Sequence, residues 1–282
     1  MPEIVEVKKY ADLIKKNTYN KILLDIKILN GRYIKHGPFA FYTEIIQLLP
    51  LTIINIDTKG KFMYITLQNG YSIGITLGLS GGWIFKPIKN SLDNLNKHLN
   101  IAFIFESGIL FFYDKLSFGT VSIYVNTIIL NKKLETIGTD IMCINTTFDT
   151  FKERIFNVKN NDKMIGNLLL NQKIISGVGN YLRADSLWLS KISPFRKIKD
   201  LSNNELYMLF YNIRLLTWTI YDYNLAIKLN IINILDKLPV DYNQHFLIYN
   251  KKYDCYNNVI IKAKLHEGSQ IRYIYWVPQY QI

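Results

Sequence analysis

Pro2 followed by Glu3 is a pair of residues that could do covalent chemistry. With the initiator methionine removed, the proline nitrogen becomes a secondary α-amine with a pKa of about 8, so a useful fraction is neutral and nucleophilic at physiological pH. Attack of that amine on an aldehyde-level sugar carbon gives an iminium that cannot shed its charge by losing an N–H proton. The fixed charge is an electron sink for elimination at the neighbouring carbon. Glu3 could protonate a ring oxygen or carry protons in later steps. The same two residues also read as an ordinary helix start, since proline suits a first turn and a carboxylate complements the helix dipole there. A second constellation is Gly177-Val178-Gly179-Asn180. Two glycines two apart, with Asn opening a helix, make a compact anion site: N–H groups point outward at a helix N-terminus, and glycine lets a phosphate come close. A plain helical hairpin with a tight turn fits these four residues as well.

The elements that must position them follow from periodicity. Ile4, Val7, Ala11 and Ile14 share one face of a helix expected over residues 2–16, with Lys8, Lys9, Lys15 and Lys16 largely away from it. The next hundred residues change period. Residues 24–28 and 62–67 alternate, and Asn69-Gly70 and Ser107-Gly108 sit between apolar runs as hairpin turns. Short strands joined by tight turns predict an antiparallel β-sandwich or barrel. Beyond Gly138-Thr139-Asp140 the pattern becomes helical over residues 148–156, 164–170, 181–189 and 203–221. Residues 259–265 and 270–277 then form a β-hairpin carrying Lys262, Lys264 and Arg272, with 266–269 between its strands. The resulting division is a helix-plus-sandwich domain (1–130), a linker (131–146), a helical domain (147–245) and a hairpin (246–282).

At 282 residues the chain is long for a single core, which agrees with more than one domain. Lys and Arg outnumber Asp and Glu by 34 to 22, and the net charge of +12 suits a polyanionic partner, nucleic acid before membrane. The apolar run 45–56 is broken by Gln47, Pro50 and Asn55 and is too short to span a bilayer. The acids near the N-terminus do not resemble a secretion signal, so an intracellular location is expected. Cys143 and Cys255 lie far apart, as do His36, His98, His245 and His266, which argues against a disulfide framework or a thiolate metal site.

Several stretches occur in one order: MPEIVEV at the start, GKFMYITL at 60–67, TLGLSG at 76–81, YDKLSFG at 113–119, NQKIISGVGNYLRADSL at 171–187, and the basic hairpin. Together they resemble the formamidopyrimidine-DNA glycosylase/endonuclease VIII family of base-excision enzymes. The resemblance implies an α+β chain with a helix–two-turn–helix in its helical domain. It also implies roles: Pro2 as amine nucleophile, Glu3 as its partner carboxylate, and Glu6 as support for that helix. Lys61 matches a lysine that reaches phosphate and assists proton transfer, although a solvent-facing strand lysine is the alternative. Asn180 with Gly177 and Gly179 matches a phosphate contact beside the lesion. Arg272 matches the hairpin, or finger, arginine that clamps the same backbone. Leu79 and Phe118 match positions that fill the gap left by a flipped nucleotide, with core packing as their rival.

Departures from the family pattern are Ile4 and Val5 for the usual Gly and Pro, Leu116 and Ser117 for two arginines, and Asp185 for Glu. The arginine losses weaken opposite-base reading and leave room for activity on single strands. Where zinc-binding members carry four cysteines, this chain has Cys255, Asn258, Val277 and Tyr280, which resembles the zincless-finger branch of endonuclease VIII-like proteins. No zinc and no cofactor are expected; Ile260, Ile274, Tyr275 and Trp276 could hold the hairpin by apolar packing. The expected protein is a monomeric bifunctional glycosylase/AP lyase acting on damaged DNA, removing oxidised pyrimidines and hydantoins by β- and δ-elimination. A binding protein of the same fold without chemistry, for damaged DNA or for RNA, is the alternative.

Overall fold

The computed structural model describes residues 2–88, 98–157, 160–242, 245–267 and 270–282. Met1 and part of the expected 266–269 turn fall outside these ranges. Two compact units divide the chain, Met1–Thr136 and Ile137–Ile282.

The first unit contains α1 (Ile4–Thr18), β1 (Ile22–Ile28), α2 (Arg32–Lys35), α3 (Tyr42–Leu48), β2 (Leu51–Lys59), β3 (Phe62–Leu67), β4 (Ser72–Thr76), β5 (Gly81–Pro87), β6 (Leu99–Phe105), β7 (Gly108–Asp114), β8 (Thr120–Tyr124) and α4 (Thr127–Glu135). The antiparallel strands run in the order β5-β7-β6-β1-β2-β3-β4-β8, in keeping with the expected antiparallel β domain. Strand β1 pairs with β2 through only Ile22↔Thr52 and Leu23↔Leu51. Across that narrow link two four-stranded halves supply a shared core. Met63, Ile65 and Leu67 on β3, Ile73 and Ile75 on β4, and Ile101, Phe103 and Phe105 on β6 alternate into it with the period of two that a pleated strand imposes. Val7, Ala11 and Ile14 of α1 join the same cluster. Pro50 separates α3 from β2, so the apolar run read at 45–56 is half helix and half strand.

The second unit contains β9 (Thr139–Asp140), α5 (Phe148–Ile155), α6 (Ile165–Leu168), β10 (Ile175–Ser176), α7 (Asn180–Leu189), α8 (Asn203–Lys228), β11 (Ile261–Glu267) and β12 (Gln270–Trp276). Residues 131–146, expected as a linker, hold the end of α4 and strand β9, which pairs in parallel with β10. The helix expected over 164–170 shrinks to four residues, because Leu169–Ile174 close successive turns instead. Within α8, Asp222 leaves helical geometry (φ −161°, ψ 95°) and its carboxylate accepts the Leu225 N–H at 2.9 Å, so it caps a fresh turn. Among the described residues, no helix is long and apolar enough to cross a membrane.

At the start of α8, Ser202 and Glu205 form a capping box in which Ser202 Oγ accepts the Glu205 N–H at 3.2 Å and Glu205 accepts the Ser202 N–H at 2.8 Å. The Arg196 guanidinium also donates to Glu205, and this pairing pulls the carboxyl down to about 2 from 4.5. A depressed value means the stabilisation is present above about pH 4.5 and is lost as pH falls through about 2. After allowance for solvent screening, Glu205→Gln is expected to cost about 1–2 kcal/mol at pH 7 and close to nothing at pH 2, as read by urea unfolding at both pH values.

Candidate active site and nucleic-acid interface

In the first unit the chemistry-bearing residues cluster at the start of α1. Glu3 is 1% exposed and is the residue preceding the helix. Its carboxylate accepts the Glu6 N–H, while Glu6 Oε2 accepts the Glu3 N–H at 2.8 Å. This reciprocal cap uses two carboxylates where Ser or Thr would be usual, and it fixes the backbone beside half-buried Pro2. Lys61 sits in the two-residue turn between β2 and β3, where Lys59 pairs with Phe62 and Gly60 takes a positive φ of 57°. Lys61 is not a solvent-facing strand lysine. Burial pushes its ammonium below the ordinary lysine range, and the Glu3 and then the Glu6 carboxylate pull it back up. Farther along α1, the Tyr10 hydroxyl meets that of Tyr113 at 2.6 Å.

Two neighbouring loops carry the expected gap-filling residues. Leu79 and Phe118 are 46% and 58% exposed, so core packing does not account for either. Their loops touch: a Cβ on Gly78 would lie 2.7 Å from the Gly119 nitrogen. Buried Asp114 holds them together. It accepts Ser80 Oγ–H at 2.5 Å, the Leu116 N–H at 3.2 Å and the Gly119 N–H at 2.6 Å, and Ser80 Oγ also accepts the Leu116 N–H at 2.9 Å. Asp114 and Ser80 lie inside two of the sequence motifs, but nothing in the sequence pairs positions 34 residues apart.

In the second unit, Gln172 braces the glycine turn. Its amide donates to the Leu170 and Val178 carbonyls at 3.1 and 2.9 Å, and its Oε1 accepts the Gly177 N–H at 2.9 Å. Gly177 has φ 102°, a conformation that favours glycine, and Asn180 opens α7. Arg183, one turn on, is completely buried. Its guanidinium donates to the Gly166 carbonyl at 3.0 Å, to Asn180 Oδ1 at 3.4 Å and to the Tyr273 carbonyl at 2.5 Å. Asn167 Nδ2 donates to the His266 carbonyl at 2.9 Å. These bonds bring Asn180 and the strand that carries Arg272 together. Sequence reading missed Arg183, because α7 also carries Asn180, Asp185 and Ser186 and nothing in its pattern marks the arginine as buried. Asp185 is buried and accepts Tyr242 Oη–H at 2.8 Å and the Leu247, Ile248 and Tyr249 N–H groups at 2.9 Å each. Burial pushes its carboxyl up against the pull of these donors.

At the foot of the hairpin, Asp254 accepts from Trp188 Nε1 at 3.2 Å, from the Tyr256 and Asn258 N–H groups at 2.9 Å, and from Asn258 Nδ2 at 3.0 Å. Trp188 stacks on Tyr256 and Tyr280 with ring centroids 5.8 and 5.1 Å away. Gln281 accepts the Val277 N–H at 2.7 Å and donates to the Ile192 carbonyl at 2.9 Å. Cys143 and Cys255 are exposed free thiols, and the described residues hold no group of three or more His, Cys, Asp or Glu able to bind a metal.

The chain matches two family models, the formamidopyrimidine-DNA glycosylase N-terminal domain over residues 1–121 and the H2TH domain of the same enzymes over residues 137–221. It is 30% identical over 216 residues to a formamidopyrimidine-DNA glycosylase of Ligilactobacillus salivarius, covering 76% of this chain and 75% of that protein. The corresponding Rickettsia felis protein is 26% identical over 280 residues, 97% and 96% of the two chains. The fold is shared with Lactococcus lactis Fpg, solved in complex with DNA containing an abasic site: TM-score 0.77, 21% identity, 99% of each chain.

Asp254→Ala would leave four donors without their acceptor, so it is expected to lower stability by about 2–4 kcal/mol in thermal or urea unfolding. Overnight chelation of the unmodified protein should leave its melting temperature where it was.

Proposed function

The chain belongs to the formamidopyrimidine-DNA glycosylase/endonuclease VIII family of base-excision repair glycosylases that act on oxidised bases, and from that premise we propose a bifunctional glycosylase/AP lyase working through Pro2. The observation that supports this reading is the arrangement next to Pro2, where Glu3 is buried and capped reciprocally with Glu6, with the Lys61 ammonium in the field of both carboxylates. A damaged nucleotide is extruded from the stack, because its sugar C1′ cannot be reached inside a duplex. With Met1 removed, the Pro2 nitrogen bonds to C1′ as the bond to the base breaks. The amine proton leaves, and opening of the sugar ring gives the iminium. Loss of a proton from C2′ then breaks the C3′–O bond and frees the 3′ phosphate, loss of a proton from C4′ into the same electron sink breaks the C5′–O bond and frees the 5′ phosphate, and water releases the sugar fragment from the enzyme. Glu3 is assigned the protons on the sugar oxygen, and Lys61 a phosphate contact with help in proton transfer.

Asn180, Gly177, Gly179 and Arg272 are proposed to hold the backbone, through the helix N-terminus and a planar cationic fork. Leu79 and Phe118 are proposed to occupy the space the base leaves. Oxidised pyrimidines and hydantoins are the proposed lesions, a monomer the proposed working form, and the hairpin the zincless type. The net charge of +12 supports a polyanionic substrate.

Borohydride trapping on DNA with an abasic site tests the chemistry. A covalent adduct is expected, absent in Pro2→Ala, and intact mass should show Pro2 as the first residue. No adduct from the unmodified protein would leave only a binding protein of this fold. Glu3→Gln and Lys61→Met should each slow base removal by about 10²-fold or more while binding to an abasic analogue persists, and turnover on a panel of oxidised bases in single and double strands reads the lesion preference.

A further inference from the structure

Tyr10 reaches from α1 to the roots of both loops that carry the gap-filling residues. The Leu79 loop runs into β5 and the Phe118 loop leaves β7, and the two strands pair at that point, Gly81 with Asp114 and Gly82 with Tyr113. At this junction the Tyr10 and Tyr113 hydroxyls share a hydrogen bond of 2.6 Å. Gly82 makes the room for it, since a Cβ there would lie 2.4 Å from each hydroxyl oxygen and would push the pair aside. Burial, and then the Tyr113 hydroxyl, hold the Tyr10 phenol above its ordinary range, so it bonds as a neutral group. Beyond Tyr113 comes Asp114, whose carboxylate takes the Ser80 Oγ–H and the Leu116 and Gly119 N–H groups. In the other direction Tyr10 lies four residues after Glu6, a spacing that puts both on one side of the helix. Glu6 closes the reciprocal cap with Glu3 beside Pro2. Leu79 and Phe118 are thus joined to Pro2 through hydrogen bonds, paired strands and the first turns of one helix.

We infer that Tyr10 is a positioning residue for base removal: through Tyr113 it fixes the roots of the Leu79 and Phe118 loops against α1, so that filling the gap also sets Pro2 and Glu3 at the sugar. Placement matters at this scale, because a shift of about 1 Å in a reacting group can cost about 10²-fold in rate. The two hydroxyls supply what the rings alone do not. Apolar packing is non-directional and lets a helix slide along a sheet, whereas a hydrogen bond weakens steeply once its geometry is lost. The bond lies where the two loop roots meet, so neither loop can shift without pulling on α1. The inference rests on the glycosylase reading above.

The test measures single-turnover base removal by the full-length protein on a duplex carrying the oxidised base turned over fastest in the panel above. Tyr10→Phe keeps the ring and removes one hydroxyl. It should slow the saturated rate by about tenfold, while the enzyme concentration that gives half that rate changes by less than about twofold. Tyr113→Phe should match it, and the double variant should be no slower than either alone. The deciding background is Leu79→Ala/Phe118→Ala, in which the gap stays unfilled; there Tyr10→Phe should slow the rate by less than about twofold. A tyrosine that only supports the fold would cost the same factor in both backgrounds. That result would overturn the inference, as would an unchanged rate in either single tyrosine variant. Borohydride trapping of the unmodified protein, on a duplex whose abasic site is the free aldehyde left by uracil excision, separates the two levels. An adduct without a Tyr10 effect overturns only the positioning role, whereas no adduct overturns the glycosylase reading.

Discussion

A carboxylate removed from water must be given hydrogen-bond donors, and three aspartates in this chain satisfy that requirement by gathering loops around themselves. Asp114 collects donors from two loops and thereby sets Leu79 and Phe118 side by side. Asp185, on α7, collects three consecutive backbone N–H groups from residues 247–249. Asp254 ties the foot of the hairpin to the indole of Trp188. Arg183 is the converse case, a buried cation whose donors are spent on carbonyls of α6 and β12 and on Asn180. Each group draws together segments that the chain leaves far apart. The result is a set of short loops whose bases are immobilised, with Leu79 and Phe118 exposed at two of their tips.

The same logic governs the N-terminal end of α1. Two carboxylates cap each other's backbone there. A lysine delivered by a tight turn shares their neighbourhood, caught between burial, which favours its neutral form, and the carboxylates, which favour the charged one. On the lyase reading proposed above, a group held between such opposing influences suits proton transfer during elimination.

Local pattern was legible in the sequence, and long-range pairing was not. Strand β3, helix α1 and the hairpin follow directly from apolar spacing and turn residues, to within about two positions at their ends. The four-residue α6 departed from its expected length because Gln172 and the turns beneath it, rather than helix propensity, organise residues 169–177. The antiparallel strand-rich first unit was legible, but not the β1–β2 link between its halves, which spans two pairs and leaves no periodic trace. Lys61 could be singled out only by resemblance, since a Gly-Lys turn looks solvent-exposed until Glu3 and Glu6 are placed around it. Asp114 and Arg183 were visible as residues but not as clips, because their partners lie 34 and 90 residues away.

On the zincless reading proposed above, the same constraint holds the hairpin in place of a metal. A structural zinc ion cross-links the chain through ligands that the finger itself carries, with a binding free energy of about 10–16 kcal/mol concentrated in one site. Here the cross-links are spread over Asp254, the Trp188–Tyr256–Tyr280 stack, Gln281 and the Arg183 guanidinium. Hydrogen bonds to charged groups contribute about 1.5–3 kcal/mol and aromatic pairs about 0.5–1.5 kcal/mol each, so several must act together to approach what one metal would do. Three of those groups, Trp188, Arg183 and the Ile192 carbonyl, lie on or just beyond α7 rather than in the hairpin. The hairpin therefore depends on α7 for its shape, and the helix that presents Asn180 is the one that sets the strand bearing Arg272.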